Sequence, residues 1–125
     1  MNKNISWFLS KVITGEKRGR TFGYPTINLE EPAVMKNYKR GVYASKIKID
    51  EIVYKGALYF GQKYISNQTK DVIEIFLFDF TGNLYNKTVK FIPVAFIRTP
   101  AKVQKVEELT RLIENDCKMA RSLLQ

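Results

Sequence analysis

GVYASKIKIDEIVYKGALYF, residues 41–60, decides the fold class. Two runs rich in β-branched and aromatic residues, Gly41–Ile49 and Ile52–Phe60, flank Asp50-Glu51, a pair of the length that closes a tight hairpin. Working toward the N-terminus, Thr26–Leu29 is a short extended piece, and Ile5–Ile13 reads as a first strand. Between them and residue 41, Glu30–Lys39 holds Pro32 and no clear period, and is a loop. Toward the C-terminus, Val72–Phe80 and Leu84–Ile92 give the strongest hairpin signal, turning at Thr81-Gly82-Asn83. Val94–Arg98 adds one more strand or prolongs the last. After Pro100 the period changes. Val106, Leu109, Leu112, Ile113, Cys117, Ala120 and Leu124 fall on one helical face, with Glu107, Arg111, Glu114 and Lys118 elsewhere. This order predicts a mainly β chain, a small six-stranded antiparallel barrel with a C-terminal α-helix packed outside.

Composition narrows the chemistry. At 125 residues the chain suits one domain, residues 1–125, with one core. Hydrophobic content of 45% argues against disorder. No run approaches the roughly 18 apolar residues of a membrane span, and residues 1–10 lack the apolar core of a signal peptide. A cytoplasmic location without membrane contact is expected. The single cysteine, Cys117, cannot form an internal disulfide, which fits a reducing compartment. The absence of histidine excludes His-based triads and His-ligated metals, leaving carboxylate bases and oxygen-ligated cations. The net charge of +9 is uneven: residues 1–70 carry +8 and residues 71–125 carry +1. A field of that sign favours an anion near the N-terminal half, either a nucleotide or a nucleic acid.

Residues 14–29, TGEKRGRTFGYPTINL, supply the groups such an anion needs. Gly15, Gly19 and Gly23 let backbone N–H groups approach closely, and Lys17, Arg18 and Arg20 bring charge to phosphate oxygens. Pro25, Thr26 and Asn28 follow, the last two offering hard oxygens of the kind Mg²⁺ accepts beside phosphates. No Lys-Ser/Thr pair follows the last glycine, so this is not the common P-loop.

At these residues the chain resembles the riboflavin kinase family, which phosphorylates riboflavin with ATP to give FMN. The family's Gly/Arg-rich loop runs into Leu-Gly-Phe-Pro-Thr-Ala-Asn; here it reads Phe22-Gly23-Tyr24-Pro25-Thr26-Ile27-Asn28. Gly41-Val42-Tyr43-Ala44, Ile73 to Phe80 with Leu84-Tyr85, and Phe96-Ile97-Arg98 with a helix bearing Glu108-Leu109 and Asp116 match further segments in order. The resemblance spans residues 10–122 and implies a Greek-key barrel with a C-terminal helix. It also implies Glu74 as general base, Thr26 and Asn28 as Mg²⁺ and phosphate contacts, and a flavin-side loop near Arg98. Three positions depart from the pattern. Lys17 stands where the family usually has glycine, Asn86 replaces a glycine after Leu-Tyr, and Tyr59-Phe60-Gly61 replaces Asn-Ile-Gly.

Each candidate also has a plain structural reading. On the period of two, Glu74 shares a face with Val72, Phe76, Phe78 and Phe80, a poor place for an unpaired carboxylate. If Phe80 pairs with Leu84, Glu74 falls opposite Lys90 as a cross-strand ion pair. Thr26 and Asn28 can serve a turn, and the Lys17–Arg20 run can be a solvated loop. Arg98 either contacts substrate or anchors the helix, and Asp116 is either a substrate contact or a surface partner for Arg or Lys. Residue pattern alone favours the structural reading for Glu74, Thr26 and Asn28, and the resemblance reverses it: it implies a nucleotide-binding set of Gly15, Lys17, Arg18, Gly19, Arg20, Gly23, Pro25 and Thr26, a metal set of Thr26 and Asn28, and Glu74 as the catalytic residue.

Three functions compete. The first is an ATP-dependent riboflavin kinase working as a monomer on riboflavin and ATP with Mg²⁺ or another divalent cation. The second is a catalytically degenerate flavin- or nucleotide-binding barrel. The third is a basic OB-like barrel that binds nucleic acid, using residues 38–48 as a Lys/Tyr-rich face. It leaves Pro-Thr-x-Asn and the Glu-bearing apolar strand without a role, so the kinase is ranked first and no specific nucleic acid is expected.

Overall fold

The computed structural model describes residues 6–13, 24–62 and 70–125. Six strands, β1 (Phe8–Ile13), β2 (Thr26–Leu29), β3 (Gly41–Ile49), β4 (Ile52–Gln62), β5 (Asp71–Leu77) and β6 (Thr88–Arg98), precede one helix, α1 (Val106–Leu123). The strands close into a barrel in the order β1-β2-β5-β4-β3-β6, every neighbour antiparallel. Strands β3, β4 and β5 form a meander, and β2 lies beside β5 rather than β3, the Greek-key return. Closure leaves no open sheet edge.

Asp50 and Glu51 both take positive φ, 50° and 72°, the mirror-image turn whose twist matches the two strands it joins. Ile49 and Ile52 close the register of β3 and β4 on either side of it. At the other end of β3, Gly41 has φ +150°, and a Cβ there would lie 2.2 Å from the Arg98 carbonyl oxygen. Only glycine lets β3 start that close to the end of β6.

The expected hairpin of Val72–Phe80 with Leu84–Ile92 does not form. Strand β5 stops at Leu77 and pairs with β2 and β4, whereas β6 pairs with β1 and β3. Left-handed Asp79 (φ 59°) and Asn86 (φ 70°) break the extended run on both sides of the intended turn. The Asn83 side chain accepts the Tyr85 N–H at 2.9 Å, and Leu84 turns into the core. Asn86 N–H donates to Val12 O and Val12 N–H to Lys87 O, so this connection is bound to β1. Lys90 consequently lies opposite Leu9 and Lys48, and the Glu74–Lys90 pair is ruled out. Of the two readings of residues 94–98 the second holds, and two smaller corrections accompany it. Residues 94–98 prolong β6, the first strand begins at Phe8, and the Glu30–Lys39 loop contains a short 3₁₀ turn, Pro32–Met35, that buries Met35.

Alternation divides the strands into two faces. Leu29, Ile47, Leu58, Ile73, Ile75, Leu77, Val89 and Phe91 fill the barrel. Phe76 and Phe78 point outward and are covered by Leu109, Ile113, Cys117, Ala120 and Leu124 of α1. Ala57, Ala44 and Ala95 lie side by side across β4, β3 and β6. Three methyl side chains in one row make a flat floor on which the helix can sit close. Val106 stays 61% exposed, so the buried stripe begins at Leu109, and the polar Asp116 belongs to it.

Candidate functional site

One row of cross-strand partners runs round the barrel: Ile13, Asn28, Glu74, Tyr59, Val42 and Arg98. Directly opposed residues on neighbouring strands share a face, with Cβ atoms about 5 Å apart. The row lies on the outer wall, because Ile27, Leu29, Ile73, Ile75, Leu58 and Phe60 take the alternate positions in the core. Register therefore sets Asn28 on one side of Glu74 and Tyr59 on the other. Glu74 is almost wholly buried, at 9% exposure.

Thr26 lies two residues before Asn28 on the same face, opposite Phe76. Its Oγ1 is buried and has no hydrogen-bond partner among the described residues. Such an orphan costs about 1–3 kcal/mol unless something meets it. Pro25 holds the entry to β2, its carbonyl accepting the Leu77 N–H at 2.9 Å. Thr26, Asn28 and Glu74 together offer a hydroxyl, an amide and a carboxylate, all hard oxygen donors that suit a small divalent cation. Among the described residues no three His, Cys, Asp or Glu side chains gather round a point, so a cation here would draw on the hydroxyl and amide oxygens.

Tyr59 has a buried ring, and its hydroxyl donates to the Gln62 carbonyl oxygen. Burial pushes its phenol up to about 12, with Asp71 and Glu74 adding to the effect and Arg98 and Arg40 opposing it. The group is neutral at physiological pH. Arg40 pairs with Asp71 through two bonds of 2.9 and 3.0 Å nearby, and that hydrogen-bonded carboxylate raises the Arg40 guanidinium. In the sequence Tyr59 is visible only as a departure from the family pattern. Its place beside Glu74 needs the register of β4 against β5.

Arg98 and Asp116 meet each other. Nε and Nη2 of Arg98 donate to the two carboxylate oxygens at 2.8 and 2.7 Å, and Nη1 donates to Thr99 O at 3.0 Å. The Asp116 side chain is 4% exposed, so it is an internal tie between β6 and α1 rather than a surface partner. Val42, Ala57, Tyr59, Phe76, Ile113 and Asp116 line a narrow cleft between the sheet and the helix, and Val42 and Tyr59 belong to the Glu74 row. Gly15, Lys17, Arg18, Gly19, Arg20 and Gly23 lie outside the described residues.

The structure thus brings Thr26, Asn28 and Glu74 together, and places Arg98 with Asp116 at the far end of the same row. Similarity to known proteins extends over nearly the whole chain. Residues 5–124 match the family model for flavokinase, riboflavin kinase. The bifunctional riboflavin kinase/FMN adenylyltransferase of Bacillus subtilis (strain 168) is 37% identical over 111 residues, 84% of this chain and 34% of that protein. A trifunctional protein RibF/MnmA of Mycoplasmoides gallisepticum is 32% identical over 89% of this chain and 17% of its own length. The chain therefore spans about a third or less of these curated relatives. Among solved structures, a macrolide-efflux protein from Streptococcus pneumoniae superposes with a TM-score of 0.72 at 26% identity, covering 90% of this chain and 37% of that one. Riboflavin kinase from Trypanosoma brucei shares the fold, with a TM-score of 0.64 at 23% identity over 95% of this chain and 79% of that one.

Proposed function

The chain belongs to the riboflavin kinase family, and we propose that it transfers the γ-phosphate of ATP to the ribityl 5′-hydroxyl of riboflavin, giving FMN and ADP. The observation that carries this reading is the direct opposition of Asn28 and Glu74 across β2 and β5, with the orphaned Thr26 hydroxyl on the same face. A base and a set of phosphate-side oxygens on adjacent strands are what an in-line transfer between two bound substrates requires.

In this reading Glu74 accepts the 5′-hydroxyl proton as that oxygen bonds to the γ-phosphorus. The bond from the γ-phosphorus to its bridging oxygen breaks, and ADP carries off the electron pair. At 9% exposure between Asn28 and Tyr59, the Glu74 carboxylate is kept out of bulk water, where it can take a proton from a bound hydroxyl rather than from solvent. Thr26 and Asn28 would hold Mg²⁺ or another divalent cation, which when bound neutralises charge across the β- and γ-phosphates. Loop amides at Gly15, Gly19 and Gly23 and the side chains of Lys17, Arg18 and Arg20 would take the remaining phosphate oxygens, with Pro25 fixing where the loop enters β2. Arg98 and Asp116 act on substrate only through the helix they tie down. A monomer would suffice for this reaction, since the whole row lies on one barrel.

Among the described residues no helix is long and apolar enough to cross a membrane. Incubation with riboflavin, ATP and Mg²⁺, followed by chromatography for FMN, tests the proposal directly. FMN formation that stops without divalent cation supports it. Tight binding of flavin or nucleotide without any FMN would move the chain to the degenerate class.

A further inference from the structure

Helix α1 covers the part of the outer wall formed by Ala57, Ala44, Ala95, Phe76 and Phe78. Further along the same strands Lys46 and Lys55 are exposed and Lys48 and Lys90 half-buried, and these charges are arranged at a cost. Lys46 stands directly opposite Lys55 on β4, and Lys48 directly opposite Lys90 on β6. Like charges in that position destabilise a sheet. On their other sides Lys46, Lys48 and Lys90 face Ile92, Val53 and Leu9, and the Lys55 carbonyl accepts the Phe78 N–H, so no carboxylate stands directly opposite any of the four. Among the described residues none of the four lysines forms an ion pair, although Lys87, Arg40, Arg98 and Arg121 all do.

Aromatic and apolar surface is interleaved with these charges. The Lys48 ammonium lies 4.9 Å from the centre of the Trp7 ring, the only tryptophan of the chain. Leu9 and Val53 flank the Lys90–Lys48 pair and are 59% and 48% exposed. Lys46 and Lys48 are two residues apart on one strand, about 6.7 Å, and each faces its partner lysine at about 5 Å. A grid of ammonium groups at that spacing, beside an aromatic ring, suits a phosphate backbone whose bases can stack. A lipid surface would want a continuous apolar stripe, and here lysines interrupt it in every row.

We propose that the outer wall around Lys46, Lys48, Lys55 and Lys90 is a docking surface for single-stranded nucleic acid, read by charge and stacking without sequence preference. It is distinct from the row that holds Glu74. Lys46 lies four residues along β3 from Val42, and Lys55 four along β4 from Tyr59, about 13 Å in each case.

Trp7 is a built-in reporter for the test. The full chain is titrated with a uridine 12-mer, following tryptophan fluorescence between about 50 and 200 mM salt. Four phosphate contacts predict a slope of log K against log salt of about −3. The variant K46E/K48E should bind at least about tenfold more weakly and lose more than half of that slope. Each substitution sets a Glu opposite a Lys, so the barrel should tolerate both, and K46Q/K48Q should give the same ordering with a smaller effect. The variant K102E/K105E changes net charge equally on the exposed segment before α1 and should keep most of the affinity. Equal weakening by both charge-reversed variants would mean that net charge alone attracts the oligomer, and the proposal would fail. Tighter quenching by anionic phospholipid vesicles than by the oligomer would overturn it in favour of a membrane surface.

Discussion

Asn28 and Glu74 stand directly opposite each other across β2 and β5, and Tyr59 closes the other side of Glu74 from β4. Strand register thus delivers two chemically different groups to one point on the outer wall without a loop to position either. A slip of one residue between β2 and β5 would carry the Asn28 side chain into the core and the site would be lost. Such a slip is opposed by the buried Ile27 and Leu29, which fix β2 from the inside.

Thr26 should show a conflict between stability and function. Thr26→Val replaces the buried, unpartnered hydroxyl with a methyl group of the same shape. We expect the variant to be as stable as the wild type or more so, by up to about 1 kcal/mol in urea unfolding. MgATP affinity measured by calorimetry should fall sharply, and Asn28→Ala should do the same. Unchanged MgATP affinity in both variants would remove the two residues from the metal site.

The Arg98–Asp116 pair should behave as an internal tie. Asp116→Ala removes the carboxylate that meets two N–H groups of a largely shielded guanidinium, and the expected cost is about 3–5 kcal/mol. The double variant R98M/D116L removes both charges and should recover much of that loss, a difference readable from denaturant midpoints. Arg98→Lys keeps the charge but loses the two-pronged geometry. It should lower the melting temperature without changing the riboflavin KM. A raised KM at unchanged melting temperature would instead make Arg98 a substrate contact.

Two buried weak acids predict the alkaline limb of stability. Burial pushes both the Tyr59 phenol and the Cys117 thiol up to about 12, from ordinary values of 10.0 and 9.0. Each is neutral in the folded chain at a pH where the unfolded chain has already ionised. Their contribution is therefore fully present below about pH 9 and is lost as pH rises from there toward 12. Urea midpoints measured from pH 7 upward should be flat at first and then decline. In Cys117→Ala the decline should begin later, near the ordinary tyrosine value. The native thiol should also resist disulfide reagents at pH 8 until the chain unfolds.

Sequence pattern reveals which residues are extended and which side they bury, but it is silent about which strand lies next to which. The ends of β2 and β3, the Asp50-Glu51 turn and the buried helical stripe from Leu109 onward all follow from local chemistry. The partners of β5 do not. A glycine-bearing turn between two apolar runs looks like a hairpin whether or not the chain crosses the barrel end there. Two left-handed residues, Asp79 and Asn86, decide the matter, and Asn86 is the one whose tolerance of that conformation could be anticipated. The expected hairpin also hides Tyr59, because a β5 paired with β6 leaves no reason to look to β4 for the neighbour of Glu74. The buried Asp116 was obscured for a different reason: an ionic side chain on an apolar helix face is explained only by the arginine that meets it.

Glu74 gives the most discriminating prediction. With Lys90 placed opposite Leu9 and Lys48, the cross-strand ion pair that offered an alternative role for Glu74 is gone. Glu74→Gln keeps the shape and much of the hydrogen bonding and removes the proton acceptor. As a general base the carboxylate should be worth roughly 10²–10⁴ in kcat. Riboflavin and MgATP affinities should change little, because proton acceptance matters chiefly in the transition state. Lys90→Met is the matched control, and it should leave kcat within about twofold since Lys90 faces β1 and β3. Measuring kcat and melting temperature on the same preparations separates lost chemistry from lost fold. A folded Glu74→Gln protein with native turnover would show that the proton leaves by another route, and the pairing of Glu74 with Asn28 would then be structural alone.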